Sequence, residues 1–358
     1  MKKIIFLLLL LIPCILPAQT DVKDYEPGVT EEGITYFLPK TEFYLVITTT
    51  RTTQYPGEFA LFAARYLKMD QVALQKEEAW KMQRVNLVAS GIADHERAFS
   101  IKLKNKTSAP LVALARDGRL LAINADAQSL IQIPQPRQVD DKRPMEDPAK
   151  YKTQEILAAG SKEKMAELTA NEIFDIRESR SQLSKGQADY MPKDGEQLKL
   201  MLSNLDRQEE GLLKLFTGTD RTDTITFVLK ITFDHSFENK IICRFSTFLG
   251  LVDVNDLAGE PIYLTIEEQK EATEPKDNAD KPQKVIPGVR YCVPGKALIR
   301  LKSKETEYLK AILPVAQFGK IENLGNELFN KHFNTHVTFD ETTGGIIKVT
   351  SDEQQSNS

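Results

Sequence analysis

Two histidines, His332 and His336, lie four residues apart, a spacing that on a helix places both side chains on one face, where they can bind zinc. No Glu follows His332 directly, and no third ligand lies nearby in the sequence. The residues around His336 (THV) also favour a strand, in which this geometry is lost. We therefore interpret both histidines as surface residues and predict no metal site.

Two short clusters combine a histidine with acidic or hydroxyl groups: residues 94–96 (DHE) and residues 234–236 (DHS). Catalysis requires such groups to converge in space, which adjacency in sequence does not achieve. Both clusters fall between predicted strands, where polar residues are typical of turns. The chain also lacks a G-x-S-x-G nucleophile motif. The sequence therefore predicts no catalytic residue and no cofactor.

Arg177, Glu178 and Arg180 form a charged cluster in a predicted helix. Guanidinium groups bind carboxylates and phosphates well, so this cluster is a candidate contact for a partner. The alternative is an exposed helix face with pairs inside the helix.

The first 18 residues have the pattern of a secretory signal peptide. Lys2 and Lys3 precede an apolar run over residues 4–16, which is too short to span a bilayer. Cleavage is predicted between Ala18 and Gln19, so we expect export to an oxidising compartment. Cys14 could be acylated in a lipoprotein, but a proline precedes it where a small residue is needed, so no lipid anchor is expected.

Two cysteines remain after cleavage, Cys243 and Cys292. In an oxidising compartment an isolated pair predicts a disulfide, which would stabilise the fold by roughly 4 kcal/mol in the chain-entropy model. The alternative is two unpaired, buried thiols that pack as small apolar side chains.

The composition is that of a globular protein: 41% of the 358 residues are hydrophobic and 27% are charged. The formal net charge is −4, and loss of Lys2 and Lys3 makes the mature chain more acidic. A surface of this charge argues against nucleic acid as a partner. After the leader, no apolar stretch is long enough for a transmembrane helix.

Periodicity divides the rest of the chain into alternating and helical segments. Strand patterns dominate a predicted N-terminal β-rich domain (residues 19–131), which includes one short helix near residues 58–67. A proline-rich linker (132–150), a helical section (151–217), a C-terminal β-rich domain (218–350) with a charged loop (268–284), and a disordered tail (351–358) follow. We predict an α+β fold in which two β-rich, mainly antiparallel parts flank a long antiparallel helical hairpin.

Several segments resemble a known protein family, most specifically the helical section NEIFDIRESRSQLSKGQADYMPKDGEQLKLMLSNLDRQEEGLLKLFTGT. Others are YFLPKTEFYLVI, PGEFALFAARYL and PGVRYCVPGKALIRL. The family is an uncharacterised group of secreted Bacteroides-type proteins, the domain of unknown function 4831, and the resemblance covers roughly residues 33–349. It implies a location in a Gram-negative envelope, in the periplasm or at the cell surface, but no activity, ligand or catalytic residue.

Two classes of function fit these observations. The first is a non-enzymatic binding or assembly module whose partner is an unknown envelope protein or a glycan. The alternative is a hydrolase that uses carboxylates from separate strands, which need no local motif, or a carbohydrate-binding protein with exposed aromatic residues.

Overall fold

The computed structural model describes residues 21–24, 33–102, 112–143, 146–192, 194–270, 288–325 and 333–353. About half of the described residues lie in strands, which form three antiparallel sheets. None of the described peptide bonds is cis.

The first sheet contains the two longest strands of the described chain. Its strands, in spatial order, are β1 (Asp21–Asp24), β3 (Glu77–Lys102), β2 (Ile34–Tyr55), β7 (Thr219–Ile231) and β6 (Arg137–Val139). Bulges in β3 interrupt its register with β2: β3 carries three extra residues, 95–97, opposite Phe37/Leu38 and one, Gln83, opposite Thr48/Thr49. Bulges bend a strand and increase its local twist, and β2 contributes side chains to two different cores.

The second sheet covers the inner face of the first. Its strands, in order, are β12 (Glu307–Gly325), β11 (Gly288–Lys302), β10 (Glu260–Gln269), β8 (Phe237–Ser246) and β9 (Gly250–Val252). The core between these two sheets includes Phe43, Leu45 and Ile47 of β2, which are fully buried. Each such side chain contributes about 1.5–3 kcal/mol through its burial.

The third sheet is smaller and joins segments from distant parts of the chain. Its strands, in order, are β14 (Ile346–Glu353), β13 (Phe333–Phe339), β5 (Leu120–Ile123) and β4 (Val112–Leu114). A second core lies between this sheet, the first part of β2 and the end of β3, and it includes Tyr36, Phe99, Ile123 and Val337.

The helices pack together beside the ends of β2 and β7. They are α1 (Ala63–Leu67), α2 (Gln154–Ala158), α3 (Lys162–Lys185) and α4 (Gly195–Thr217), with short 3-10 turns at Ala60–Phe62 and Pro148–Tyr151. Their core contains Phe59, Ile173 and Phe216. The predicted short helix near residues 58–67 corresponds to the first 3-10 turn and α1.

The predicted fold class is wrong. The chain is mostly β, and its helices are a minor part rather than a long hairpin between two β-rich parts. Strands from both sides of the helices share sheets: β2 pairs with β7 over thirteen residues, and β5 pairs with β13. Strand periodicity shows which residues face a core, but it does not show which strand pairs with which, and the prediction failed for that reason.

Candidate functional site

The most elaborately bonded polar segment of the described chain is the turn between β13 and β14, residues 340–345 (DETTGG). The Asp340 carboxylate accepts hydrogen bonds from the backbone N–H groups of Thr342 (3.0 Å) and Thr343 (2.8 Å) and from the Thr343 hydroxyl (2.9 Å). Gly344 has a φ of 75°, a conformation that favours glycine, and its N–H donates to the Asp340 carbonyl. This turn is therefore a rigid element.

The turn contacts all three sheets. The Cys292 N–H of β11 donates to the Gly344 carbonyl (3.2 Å), and the Thr41 hydroxyl of β2 donates to the Thr342 carbonyl (3.1 Å). The guanidinium of Arg119, just before β5, donates to the Glu341 carbonyl. We call residues 340–345 the junction turn, because it joins the three sheets at one point.

Thr41 extends this network to β12. Its hydroxyl accepts from the Ala316 N–H (3.0 Å), while the Gln317 side-chain amide bonds to both the N–H (2.9 Å) and the carbonyl (2.6 Å) of Thr41. Thr41 is 1% exposed. The Gln317 side chain thus makes the hydrogen bonds that a neighbouring strand would otherwise make, so the buried N–H and carbonyl groups of Thr41 both have a partner.

A large bulge in the second sheet lies beside the junction turn. Val293 pairs with Lys320 and Gly295 pairs with Val315, so that Pro294 alone faces four residues, 316–319, of β12. A Cβ at Gly295 would lie 2.2 Å from the Phe318 carbonyl oxygen, so a larger residue cannot occupy this position without backbone movement. The bulge widens the sheet surface and produces concave surfaces around Pro294.

Two adjoining clefts flank Pro294. The larger, of about 430 Å³, is lined by Tyr291, Cys292, Val293, Pro294, Pro314, Asp340, Thr343, Gly345 and Ile346. The smaller, of about 310 Å³, is lined by Glu268, Gln269, Lys270, Val293, Pro294, Gly295, Lys296, Phe318, Gly319 and Lys320. The first is mainly apolar with a few polar groups, which is typical of small-molecule sites, and the second carries three lysines.

Tyr291 lines the larger cleft and stands opposite Glu322 of β12. The Tyr291 hydroxyl donates to Glu322 (3.2 Å), and burial raises the Tyr291 pKa. The hydrogen bond from Lys320 lowers the pKa of Glu322. Both side chains therefore keep their ordinary charge at neutral pH, the phenol neutral and the carboxylate ionised.

The pKa values of other carboxyl groups are also lowered. Among the described residues, a hydrogen bond from a neighbouring cation lowers the pKa of each carboxyl whose pKa is shifted: Glu78, Asp141, Glu146, Asp223, Asp234 and Glu322. A general acid at neutral pH needs the opposite shift. These groups are suited to ion pairing.

The predicted partner contact at Arg177, Glu178 and Arg180 lies on α3. Arg177 and Arg180 both bond to the buried carboxylate of Glu209 on α4, at 2.5 and 2.6 Å, and Arg180 also bonds to Asp206. Glu178 accepts a hydrogen bond from Gln182 on its own helix. The two arginines therefore hold α3 against α4.

The predicted disulfide between Cys243 and Cys292 is not formed, and both are buried free thiols. Cys243 pairs with Ile262, and the next residue of β10 pairs with Lys302 of β11. Cys292 lies ten residues earlier on β11, roughly 33 Å along an extended strand, whereas a disulfide requires Cα atoms within about 7 Å. Burial raises the pKa to about 12 for Cys243 and about 11 for Cys292.

The histidine clusters do not assemble a site. His336 lies on β13 and its Nδ1 bonds to the Asn124 carbonyl, while His332 is outside the described residues. Residues 94–96 belong to an irregularity within β3, where His95 packs against Phe37, rather than to a turn. Across the described ranges, no three His, Cys, Asp or Glu side chains are placed to hold a metal ion.

Sequence reasoning missed the junction turn as a site. Residues 344–345 predict a Gly-Gly hairpin, and β13 and β14 are joined there as expected. An Asp placed two residues before Thr-Thr-Gly-Gly signals a self-bonded turn, but nothing local indicates that Thr41 and Arg119 lie against it. The leader with Cys14, Ala18 and Gln19 lies outside the described residues.

The chain matches a known protein family. A family model described as "Domain of unknown function (DUF4831)" matches residues 32–347. No curated protein and no solved structure matches the chain. In the part of the chain that the structure describes, no helix has the length and apolar character needed to cross a membrane.

Proposed function

Because the chain belongs to the DUF4831 family, we propose a function from its own geometry: a non-enzymatic binding or assembly module of a Gram-negative cell envelope. The observation that carries this proposal is the pair of adjoining clefts around Pro294, next to a junction turn that bonds to all three sheets. A ligand in the larger cleft contacts residues of β11, β12 and β14 and the hydrogen-bonded junction turn, so little ordering is needed on binding.

Export rests on the leader. Lys2, Lys3 and the apolar run that follows them support secretion and cleavage before Gln19, without a lipid anchor at Cys14. Mass spectrometry of the N-terminus of the protein expressed in its own cells tests this part. A mature chain that begins at Gln19 is expected, whereas an intact Met1 or an acylated Cys14 contradicts it.

Binding is favoured over acid–base hydrolysis by the carboxyl groups. In the larger cleft Asp340 uses one carboxylate oxygen to hold the junction turn through three hydrogen bonds. Among the described residues, every carboxyl with a shifted pKa has that pKa lowered by a cation, whereas glycoside hydrolysis needs one carboxyl kept protonated. Two of the aromatic residues that could recognise a sugar are engaged within the described fold: Tyr36 is fully buried, and Trp80 packs on Gly250 and Arg51.

Native mass spectrometry of the mature protein, incubated with a small-molecule extract of cell envelopes, tests the cleft. Wild type should retain an adduct of defined mass. Pro314→Arg, at the exposed rim of the larger cleft, should lose the adduct, while Ile312→Arg, exposed two residues earlier on the same strand, should keep it. Absence of any adduct on folded wild type, or equal retention by Pro314→Arg, contradicts this site.

A further inference from the structure

The outward face of the first sheet carries a regular array of threonines. Three residues of β2 stand directly opposite three of β7: Thr48 with Thr226, Thr50 with Thr224, and Thr52 with Thr222. Opposed residues share a face of a sheet, and Ile47 and Thr49, both fully buried, point to the inner core. All six are half-buried, as expected on an open sheet surface. We call them the threonine face.

Three exposed cations border this face. Arg84 of β3 is opposite Thr48, Lys81 of β3 is opposite Thr50, and Arg137 of β6 is opposite Thr226. Arg84 and Arg137 therefore end one row of four strands, about 14 Å apart at the usual strand spacing. The positive charges lie on both sides of the hydroxyl groups, in a chain whose net charge is negative.

The nearest carboxylates of the described strands do not cancel these charges. Asp223 is 4% exposed and lies on the inner face, where it pairs with Arg51. The Glu42 side chain is 2% exposed and pairs with Lys230. Glu77 and Asp220 lie beyond Thr52, at the far end of the face. Between these ends the face holds the threonine hydroxyls and the cations, together with Gln83, which donates to the Thr50 hydroxyl (3.0 Å), and Val139, which stands opposite Thr224.

We propose that the threonine face binds an anionic polysaccharide, independently of the junction clefts. Its carboxylate or sulfate groups lie on Arg84 and Arg137, because a guanidinium fork bonds such groups in a bidentate manner. The threonine hydroxyls, which donate and accept, bond to the sugar hydroxyls between them. A flat face without a cleft suits an extended polymer rather than a small molecule. Strand propensity accounts for threonines in β2 and β7, but not for the cations on either side.

Isothermal titration of the full mature chain with heparin and with polygalacturonate, at low salt, tests this proposal, and neutral dextran serves as the control polymer. We expect binding of an acidic polymer that weakens with added salt. The double variant Arg84→Gln/Arg137→Gln should weaken it at least about tenfold. Lys199→Gln/Arg207→Gln, which removes two exposed cations from α4, should leave binding unchanged.

A second double variant, Thr50→Val/Thr224→Val, keeps the β-branched shape and removes two hydroxyls. It should weaken binding about fivefold or more. Urea midpoints and circular dichroism confirm that each variant is folded. The proposal is overturned if folded wild type binds neither acidic polymer, if dextran binds equally, or if either double variant binds like wild type. Equal or tighter binding of oligodeoxythymidylate would assign the face to nucleic acid instead.

Discussion

Replacing Thr41 with Val tests whether the junction turn holds the three sheets together. Valine has nearly the same shape, so packing and the backbone bonds of residue 41 to Gln317 are retained. The variant loses only the hydroxyl. That hydroxyl donates to the Thr342 carbonyl at 3.1 Å and accepts from the Ala316 N–H at 3.0 Å.

The expected loss follows from the two groups left without a partner. The Ala316 N–H lies in a fully buried residue, and the Thr342 carbonyl belongs to the junction turn. A buried polar group without its hydrogen bond costs about 1–3 kcal/mol, and the more exposed carbonyl should cost the lower figure. We expect Thr41→Val to lower the free energy of unfolding by about 2–4 kcal/mol.

Urea unfolding of the mature protein, followed by circular dichroism, measures this difference through the shift in midpoint at constant slope. Thr52→Val is the matched control, because Thr52 lies on the outer face of the same strand and its hydroxyl is 3.3 Å from that of Thr222. The control should change stability by no more than about 0.5 kcal/mol. If Thr41→Val is as stable as Thr52→Val, the junction turn does not depend on the Thr41 hydroxyl and the reasoning is refuted.

Three further predictions concern the helices, an ion pair and the thiols. Gly211→Ala should lower the free energy of unfolding by about 1–2 kcal/mol although alanine favours helices, because an added Cβ would lie 2.1 Å from the Tyr151 ring. Gly195→Ala, with open space around it, should not destabilise the protein. Urea unfolding midpoints compare the two variants. The hydrogen bond from Arg51 lowers the pKa of buried Asp223 below its value in the unfolded chain. The stability that this ion pair contributes is therefore present above about pH 4 and is lost as the pH falls further. Asp223→Asn should make the free energy of unfolding less dependent on acid pH, and Asp220→Asn, on the same strand but exposed, should not. Cys243 and Cys292 should resist a thiol reagent at neutral pH in the folded protein, because burial keeps both thiols protonated. Both should react in urea without reductant. If neither cysteine reacts in urea until a reductant is added, the two are joined by a disulfide and the finding of free thiols is contradicted.

Two short-range sequence patterns predict the local structure correctly. Asp194 caps α4 by accepting from the Gln197 N–H at 2.7 Å, as the D-x-x-Q spacing predicts. Asp117-Gly118 makes the turn between β4 and β5, with Gly118 at a φ of 86°. These features depend only on residues within one turn of each other, so the local sequence is enough to predict them.

The sequence does not predict which distant strands pair with each other. β2 joins β7 across some 170 positions, and Thr41 meets Gln317 and Thr342 from still farther away. Several strands have similar apolar alternation, so the pattern cannot select among them. The disulfide prediction failed for a related reason: two cysteines in an oxidising compartment suggest a bond, but the strand register keeps them far apart.

The amino-acid order alone predicts an export leader, and it was enough to identify the strand and helix periods, the caps and the hairpin turns, because each depends on neighbouring residues. The assembly of strands from both ends of the chain into shared sheets came from the fold, as did the concave surfaces around Pro294 and the alignment of three cations with six threonines. Pairing between distant strands depends on the fit of whole faces, and that fit exists only once the chain has folded.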